Sequence, residues 1–276
     1  MTIRPIVLAT IALLAACQGK PAAEGPPPAV NAAFSVYSKA VGDSFQIRVA
    51  IPPGYQPAGK YPVVYVLDAN LYFDIYAATM RRYSEVGLLP ACIVAGIGYR
   101  DFRSMDSLRN RDYTFPVAIP EYEMPVSGGA DKFLQFLRDE LTPLIDRQYA
   151  TDPAKRWLMG HSLGGYFTLF ALQRQLRHNA RLFDGFIAAS PSLHYNHYYL
   201  LDKFTPAKGS TLPRRVYIAY GGQEDADTTL RRAAAVLAGL KAKLPLACST
   251  ALYTDLDHMD TQLPAFVKGL QWISGE

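Results

Sequence analysis

The stretch RWLMGHSLGGYF, residues 156–167, decides the fold of this 276-residue chain. An apolar run enters a G-x-S-x-G turn at residues 160–164, and a helix-like stretch follows it. A strand, a tight turn and a helix are the context in which this motif forms a nucleophile elbow: the glycines allow the sharp bend, and the serine stands exposed above a sheet. The pattern predicts Ser162 as a nucleophile; the alternative is a purely structural turn.

A serine nucleophile needs a base, and the base needs an acid that orients it. After an elbow of this kind the acid and then the histidine follow, each on a loop after a later strand. Apolar runs at 215–220 and 248–254 predict those strands, and of the five histidines only His258 lies after the acid loop. His258 is therefore the candidate base. Glu224 is the favoured acid and Asp225 the alternative, because adjacent side chains diverge on a tight loop.

Acyl transfer also needs donors for the developing oxyanion. One is the backbone N–H of Leu163, the residue after the nucleophile. The other normally comes from the loop after the third strand, predicted here at residues 61–67. The N–H of Asn70 is the favoured second donor, with Leu71 as the alternative.

Six motifs resemble the successive signatures of the esterase D-like branch of the α/β-hydrolases: YPVVYVLD (61–68), GIGY (96–99), RDYT (111–114), GHSLGG (160–165), SPSL (190–193) and GQE (222–224). The resemblance runs from about residue 35 to the C-terminus and is strongest to bacterial esterases of the trilactone siderophores enterobactin and salmochelin. It implies a carboxylester hydrolase without a cofactor, with Ser162, His258 and Glu224 at the catalytic positions and Asn70 at the oxyanion position. Some siderophore esterases use a Ser-His dyad alone, so the contribution of Glu224 stays open. In two departures, Ala69 stands where the family often has Gly, and His194 where it often has Trp.

Strands alternate with helical spacing along the chain, which predicts an α/β fold, and together with the resemblance this implies one α/β-hydrolase domain at residues 31–276. We expect a mostly parallel sheet in the order 1-2-4-3-5-6-7-8, helices on both faces and an opening antiparallel hairpin at 34–40 and 45–51. Hydrophobic residues make up 50% of the chain, enough for a sizeable core. The net charge is only +4 and no dense Lys/Arg run occurs, which argues against a nucleic-acid partner.

Residues 99–129 show no clean periodicity and are predicted to form a long loop over the catalytic edge. The arginines and aromatic residues of this loop suit an anionic, aromatic ligand. Arg111 and Tyr113 are therefore candidate substrate-binding residues, joined by His194 from a second aromatic group at 194–199. The alternative is that Arg111 pairs with Asp112 to pin the loop, and that the second group is ordinary packing.

The N-terminus indicates export. Residues 1–16 have a short basic start and an apolar stretch and resemble a lipoprotein signal peptide cleaved before Cys17, which would carry the lipid. Residues 17–30 are predicted to be a Pro/Ala-rich tether. A plain secretory peptide is the alternative. Gln18 stands where Asp would retain the protein in the inner membrane, so we expect a membrane anchor in the outer membrane, facing the periplasm.

Two further cysteines, Cys92 and Cys248, are predicted to be buried free thiols, since the expected strand order separates them beyond the reach of a disulfide. No Cys/His spacing suits a metal. The sequence thus favours a lipid-anchored serine carboxylester hydrolase that works through an acyl-enzyme, with trilactone siderophores as the leading substrate hypothesis. The alternatives are a broad carboxylesterase of small or acetylated esters, an acyltransferase and a non-catalytic binding lipoprotein.

Overall fold

The computed structural model describes residues 31–205, 214–224 and 227–275. The predicted signal peptide and the tether with Cys17 lie outside this part of the chain. One eight-stranded sheet in the order β1-β2-β4-β3-β5-β6-β7-β8 organises the domain, as predicted. Its strands are β1 (Asn31–Ser38), β2 (Asp43–Ala50), β3 (Tyr61–Val66), β4 (Ile93–Gly98), β5 (Thr151–His161), β6 (Gly185–Ala189), β7 (Arg214–Gly221) and β8 (Leu246–Tyr253).

The strand directions follow the α/β-hydrolase pattern. The first two strands form an antiparallel hairpin, and β2 pairs antiparallel with β4. From β4 to β8 every neighbouring pair is parallel. The carboxyl ends of β3, β5, β6, β7 and β8 therefore lie along one edge of the sheet, where loops that follow different strands can meet.

Helices cover both faces of the sheet. They are α1 (Ala69–Glu85), α2 (Phe102–Tyr113), α3 (Ala130–Phe136), α4 (Thr142–Gln148), α5 (Leu163–His178), α6 (Tyr195–Asp202), α7 (Asp227–Lys241) and α8 (Gln262–Ser274). A π-helical turn (Leu137–Leu141) joins α3 to α4. Among the described residues, no helix has the length and apolar character that a membrane span requires.

Two apolar cores lie on either side of the sheet, because successive strand residues point to opposite faces. In β3, Val64 and Val66 belong to the core under α1 and α8, whereas Val63 and Tyr65 belong to the larger core on the other face. The smaller core includes a stack of Tyr76 on Phe266 with ring centroids 4.1 Å apart. This two-sided burial makes the strands nearly continuous apolar runs.

The prediction of an irregular loop at residues 99–129 is wrong in part, because this segment contains the three-turn helix α2. Only three α2 residues are buried, and two of them are polar or hydroxylated: Met105, Asp112 and Tyr113. The helix has a short apolar face that is interrupted by charged residues, so periodicity gives only a weak signal. Its start is fixed by Asp101, whose carboxylate accepts a hydrogen bond from the Ser104 N–H at 2.7 Å.

The two cysteines are well separated in the sheet order, as expected. Cys92 directly precedes β4 and is buried, whereas Cys248 lies in the edge strand β8 and is partly exposed. The prediction of burial is thus correct for Cys92 and wrong for Cys248. Even so, partial burial raises the pKa of the Cys248 thiol to about 11.

Candidate active site

The turn at Ser162 has the geometry of an elbow. Ser162 adopts φ 57°, ψ −118° between the last residue of β5 and the first of α5, a backbone conformation that non-glycine residues rarely occupy. A Cβ on Gly160 would lie 2.2 Å from the carbonyl oxygen of Gly164, so only glycine fits where the strand and the helix cross. The Ser162 N–H donates to the Ala189 carbonyl at 3.0 Å, which ties the turn to β6.

The Ser162 hydroxyl faces a cavity of about 200 Å³ that His258 also lines. In the structure its Oγ lies 3.2 Å from Ser192 Oγ, on the loop after β6. A second cavity of about 150 Å³ is lined by His258, Glu224 and His194. The candidate nucleophile and base thus line one cavity together, and the base also lines the second.

Glu224 and His258 meet although they lie on different loops. The turn after β7 presents Glu224, the loop after β8 presents His258, and Glu224 Oε2 lies 2.8 Å from His258 Nδ1. Because a carboxylate only accepts hydrogen bonds, Nδ1 carries a proton, and in the neutral imidazole this leaves the lone pair on Nε2. The alternative acid, Asp225, lies outside the described residues.

Glu224 is held in its ionised form. Burial alone would raise the pKa of its carboxyl group, but hydrogen bonds from His258, the Ser190 hydroxyl and the Gly221 N–H outweigh burial and hold that pKa below its usual value. Ser190 also contacts the Thr261 hydroxyl at 2.6 Å. These neighbours orient the carboxylate toward the imidazole ring.

The predicted oxyanion donors lie at the N-termini of α1 and α5, the helices that follow the neighbouring strands β3 and β5. Leu163 is the first residue of α5 and Asn70 the second residue of α1, and first-turn N–H groups have no acceptor within their own helix. The Leu71 N–H donates to the Asp68 carbonyl at 2.9 Å, so Asn70 is the better candidate of the two. The Asn70 side chain bridges to both backbone groups of Tyr99, which holds the start of α1 against the end of β4.

Helix α2 forms one wall of the nucleophile cavity, to which it contributes Phe102, Met105 and Arg109. Arg109 donates two hydrogen bonds to the Asp68 carboxylate, at 3.0 and 2.8 Å, and a third to the His161 carbonyl at 3.3 Å. This buried ion pair fastens α2 both to the start of α1 and to the end of β5.

Two of the three predicted substrate-binding residues do not reach the cavities. Arg111 pairs with Asp112 and Asp43, so the alternative, in which it pins the segment, describes its contacts. Tyr113 is 0% exposed and its hydroxyl accepts the Asp68 N–H at 3.3 Å, so a substrate cannot touch it. His194 does line the smaller cavity, and burial lowers its pKa.

The second aromatic group mostly packs within the fold. Tyr195 is buried, and its hydroxyl donates a hydrogen bond to the Pro116 carbonyl at 2.9 Å. His197 is exposed, and its Nε2 lies 3.4 Å from Glu121 Oε2. Tyr198 carries the Arg232 guanidinium over its ring. Ordinary packing, the second alternative of the sequence analysis, describes these contacts.

Sequence reasoning missed several residues around the candidate base, namely Tyr72, His161, Ser190 and Thr261. Two of them, His161 and Ser190, lie inside motifs that the sequence analysis quoted, so their proximity to the site was visible but their contacts were not. Tyr72 and Thr261 carry no local signal, because each reaches the site from a helix or a helix cap on another part of the chain.

Comparison with known proteins agrees with this architecture. The family model described as Putative esterase matches residues 38–239. Ferri-bacillibactin esterase BesA of Bacillus subtilis (strain 168) is 35% identical over 196 residues, which are 66% of this chain and 66% of that protein.

Solved structures extend the match to nearly the whole chain. The BES protein from Bacillus cereus has a TM-score of 0.75 at 25% identity, covering 92% of this chain and 98% of the other. The enterobactin hydrolase IroE in complex with DFP has a TM-score of 0.71 at 26% identity, covering 89% and 95%. With the family model spanning most of its length and the fold shared with these structures, the chain belongs to the esterase family with the α/β-hydrolase fold.

Proposed function

We propose that this protein is a serine carboxylester hydrolase that opens trilactone siderophores through an acyl-enzyme. The observation that carries the proposal is the convergence of the strained Ser162 turn with the Glu224–His258 pair at one edge of the sheet. The family supports esterase chemistry, and relatives named for ferri-bacillibactin and enterobactin support the substrate class.

The reaction proceeds in two steps. Ser162 Oγ attacks the ester carbonyl while His258 Nε2 takes its proton, and Glu224 stabilises the resulting imidazolium. The N–H groups of Leu163 and Asn70 hold the oxyanion, and His258 returns the proton to the leaving alkoxide. Water, deprotonated by His258, then attacks the acyl-enzyme, releasing the carboxylic acid and restoring the Ser162 hydroxyl.

The cavity mouth suits a bulky ester with aromatic arms. A cavity of about 200 Å³ holds the scissile ester and its immediate neighbours only, so larger groups lie outside it. The side chains of Leu71, Phe102 and Met259 line this cavity yet are 39%, 60% and 53% exposed, which makes an apolar rim. At the start of α2, Arg103 lines a surface cavity and offers a cation for an anionic group, whereas Arg100 in the same cavity is paired with Asp101.

The test compares wild type with Ser162→Ala on p-nitrophenyl acetate and on a catecholate trilactone with and without iron, read by absorbance and mass spectrometry. Loss of the nucleophile lowers kcat on the order of 10⁴- to 10⁶-fold. Ser192→Ala removes the neighbouring hydroxyl and serves as the matched control. Cleavage of the simple ester alone would replace the siderophore proposal with a broad carboxylesterase. Equal inertness of wild type and Ser162→Ala on every ester would refute the hydrolase itself.

We further propose that Cys17 carries a lipid that anchors the enzyme in the outer membrane, facing the periplasm. The motif LLAAC at residues 13–17, followed by Gln18, supports this. In a Gram-negative host the full chain partitions into the detergent phase and incorporates labelled fatty acid, and Cys17→Ala does neither. Incorporation of label into Cys17→Ala would contradict the assignment.

A further inference from the structure

His161, the residue directly before the nucleophile, is a buried histidine that the mechanism above does not use. It is 3% exposed, and both of its ring nitrogens have partners. Nδ1 lies 2.9 Å from the Tyr72 hydroxyl on α1, and Nε2 lies 2.7 Å from the backbone carbonyl oxygen of His258. The ring therefore links the end of β5 to α1 and to the loop that presents the candidate base.

The partners determine where the ring proton resides. A carbonyl oxygen only accepts hydrogen bonds, so Nε2 must carry the proton. Nδ1 is then an acceptor, and the Tyr72 O–H donates to it. Burial lowers the pKa of His161 to about 4, so the ring is neutral at ordinary pH. Every donor and acceptor of this neutral tautomer is satisfied.

The His258 backbone is thereby tied to the nucleophile's own strand. Thr261 Oγ1 also donates to the His258 carbonyl, at 3.0 Å, but it belongs to the helix cap that follows the same loop. The hydrogen bond from His161, by contrast, reaches the His258 carbonyl from the residue directly before Ser162 in the elbow. The His161 and His258 rings also contact each other, with centroids 4.7 Å apart. Displacement of His161 would thus change the spacing of base and nucleophile directly.

We propose that His161 is a positioning residue for His258: its Nε2–H bond to the His258 carbonyl sets the distance between base and nucleophile, and the Tyr72 O–H, by donating to Nδ1, stabilises the tautomer that makes this bond. The inference rests on the proposed hydrolase function. It assigns a role to the histidine of the GHSLGG turn that lies outside the triad itself.

Two substitutions of His161 separate positioning from simple packing. The amide N–H of His161→Gln reaches the place of Nε2 and preserves the bond to the His258 carbonyl, whereas His161→Asn reaches only the place of Nδ1. We expect His161→Asn to lower kcat for p-nitrophenyl acetate by about 10²-fold, the effect of a displacement of roughly 1 Å, with KM nearly unchanged. His161→Gln retains kcat within about tenfold. Circular dichroism and thermal unfolding verify that both variants are folded.

Equal kcat in the two variants, or a loss confined to KM, would overturn the proposal. A second readout does not depend on turnover: ¹⁵N NMR of the histidine ring should show His161 protonated at Nε2 from pH 5 to 8. Tyr72→Phe should raise the fraction protonated at Nδ1. An Nδ1-protonated ring in wild type refutes the inference even if the hydrolase proposal stands, while equal inertness of wild type and Ser162→Ala refutes the hydrolase alone.

Discussion

The buried pair of Asp68 and Arg109 should be a major determinant of stability, and its loss can be predicted in magnitude. The two side chains are 2% and 16% exposed and share two charge-assisted hydrogen bonds of 3.0 and 2.8 Å. Arg109→Met keeps much of the apolar stem but leaves the Asp68 carboxylate buried without its cation. Breaking one side of a buried pair costs about 3–5 kcal/mol of the free energy of unfolding.

For a domain of this size each kcal/mol shifts Tm by about 2–4 °C, so Arg109→Met should unfold on the order of 10 °C below wild type. The double variant Asp68→Asn with Arg109→Met removes both charges and should be more stable than Arg109→Met alone, since no uncompensated carboxylate is left. Urea unfolding monitored by circular dichroism, at constant m-value, measures all three proteins.

The matched control is the surface pair of Arg48 and Asp74. It has a similar two-bond geometry, but the Asp74 side chain is 78% exposed. Asp74→Asn should therefore cost less than about 1 kcal/mol. If Arg109→Met proved as mild as Asp74→Asn, or if the double variant were less stable than Arg109→Met, the argument from burial would be refuted.

Three further predictions address the site. Glu224→Gln should lower kcat by about 10⁴-fold without changing the fold, because an amide facing Nδ1 favours the wrong tautomer of the candidate base. Gly160→Ala should abolish folding or activity, since its Cβ would lie 2.2 Å from the Gly164 carbonyl oxygen. The folded pKa of His161, about 4, lies below its unfolded value near 6.5, so the unfolded chain binds more protons between these values. The free energy of unfolding should therefore fall by about 3 kcal/mol as the pH drops from 6.5 to 4. His161→Gln should remove this part of the pH dependence.

A control or a contradicting outcome tests each of these three predictions. A loss smaller than tenfold in Glu224→Gln would mean that the base works without this acid or with a different one. For the glycine, Gly239→Ala in α7 meets no atom within 4 Å and should be neutral or stabilising by about 0.5–1 kcal/mol. Urea titrations of wild type and His161→Gln at pH 4, 5 and 6.5 compare the acid sensitivity, and parallel curves for the two proteins would contradict the assigned pKa.

The sequence identified the features that depend on local pattern and chain order. Apolar runs bounded by turns marked the strands, and their alternation with helical spacing indicated a mostly parallel sheet, whereas the strand order was implied by the resemblance to the α/β-hydrolases. The elbow at Ser162 was visible because its glycines and serine are contiguous. His258 was selected by its position after the acid loop, and Glu224 by a preference between neighbours.

Only the tertiary structure decided contacts between residues distant in sequence. Helix α2 escaped prediction because its apolar face is short, and a cap and buried ion pairs, which leave no periodic signal, also hold it in place. The sequence left open whether Arg111 contacts substrate or pins its segment, and only the fold shows that Asp43 and Asp112 hold its guanidinium. The partners of His161 reach it from α1 and from the loop after β8. Periodicity and motif spacing record which residues face a core or share a turn, but the orientation of a polar side chain depends on donors and acceptors that only folding brings within 3 Å.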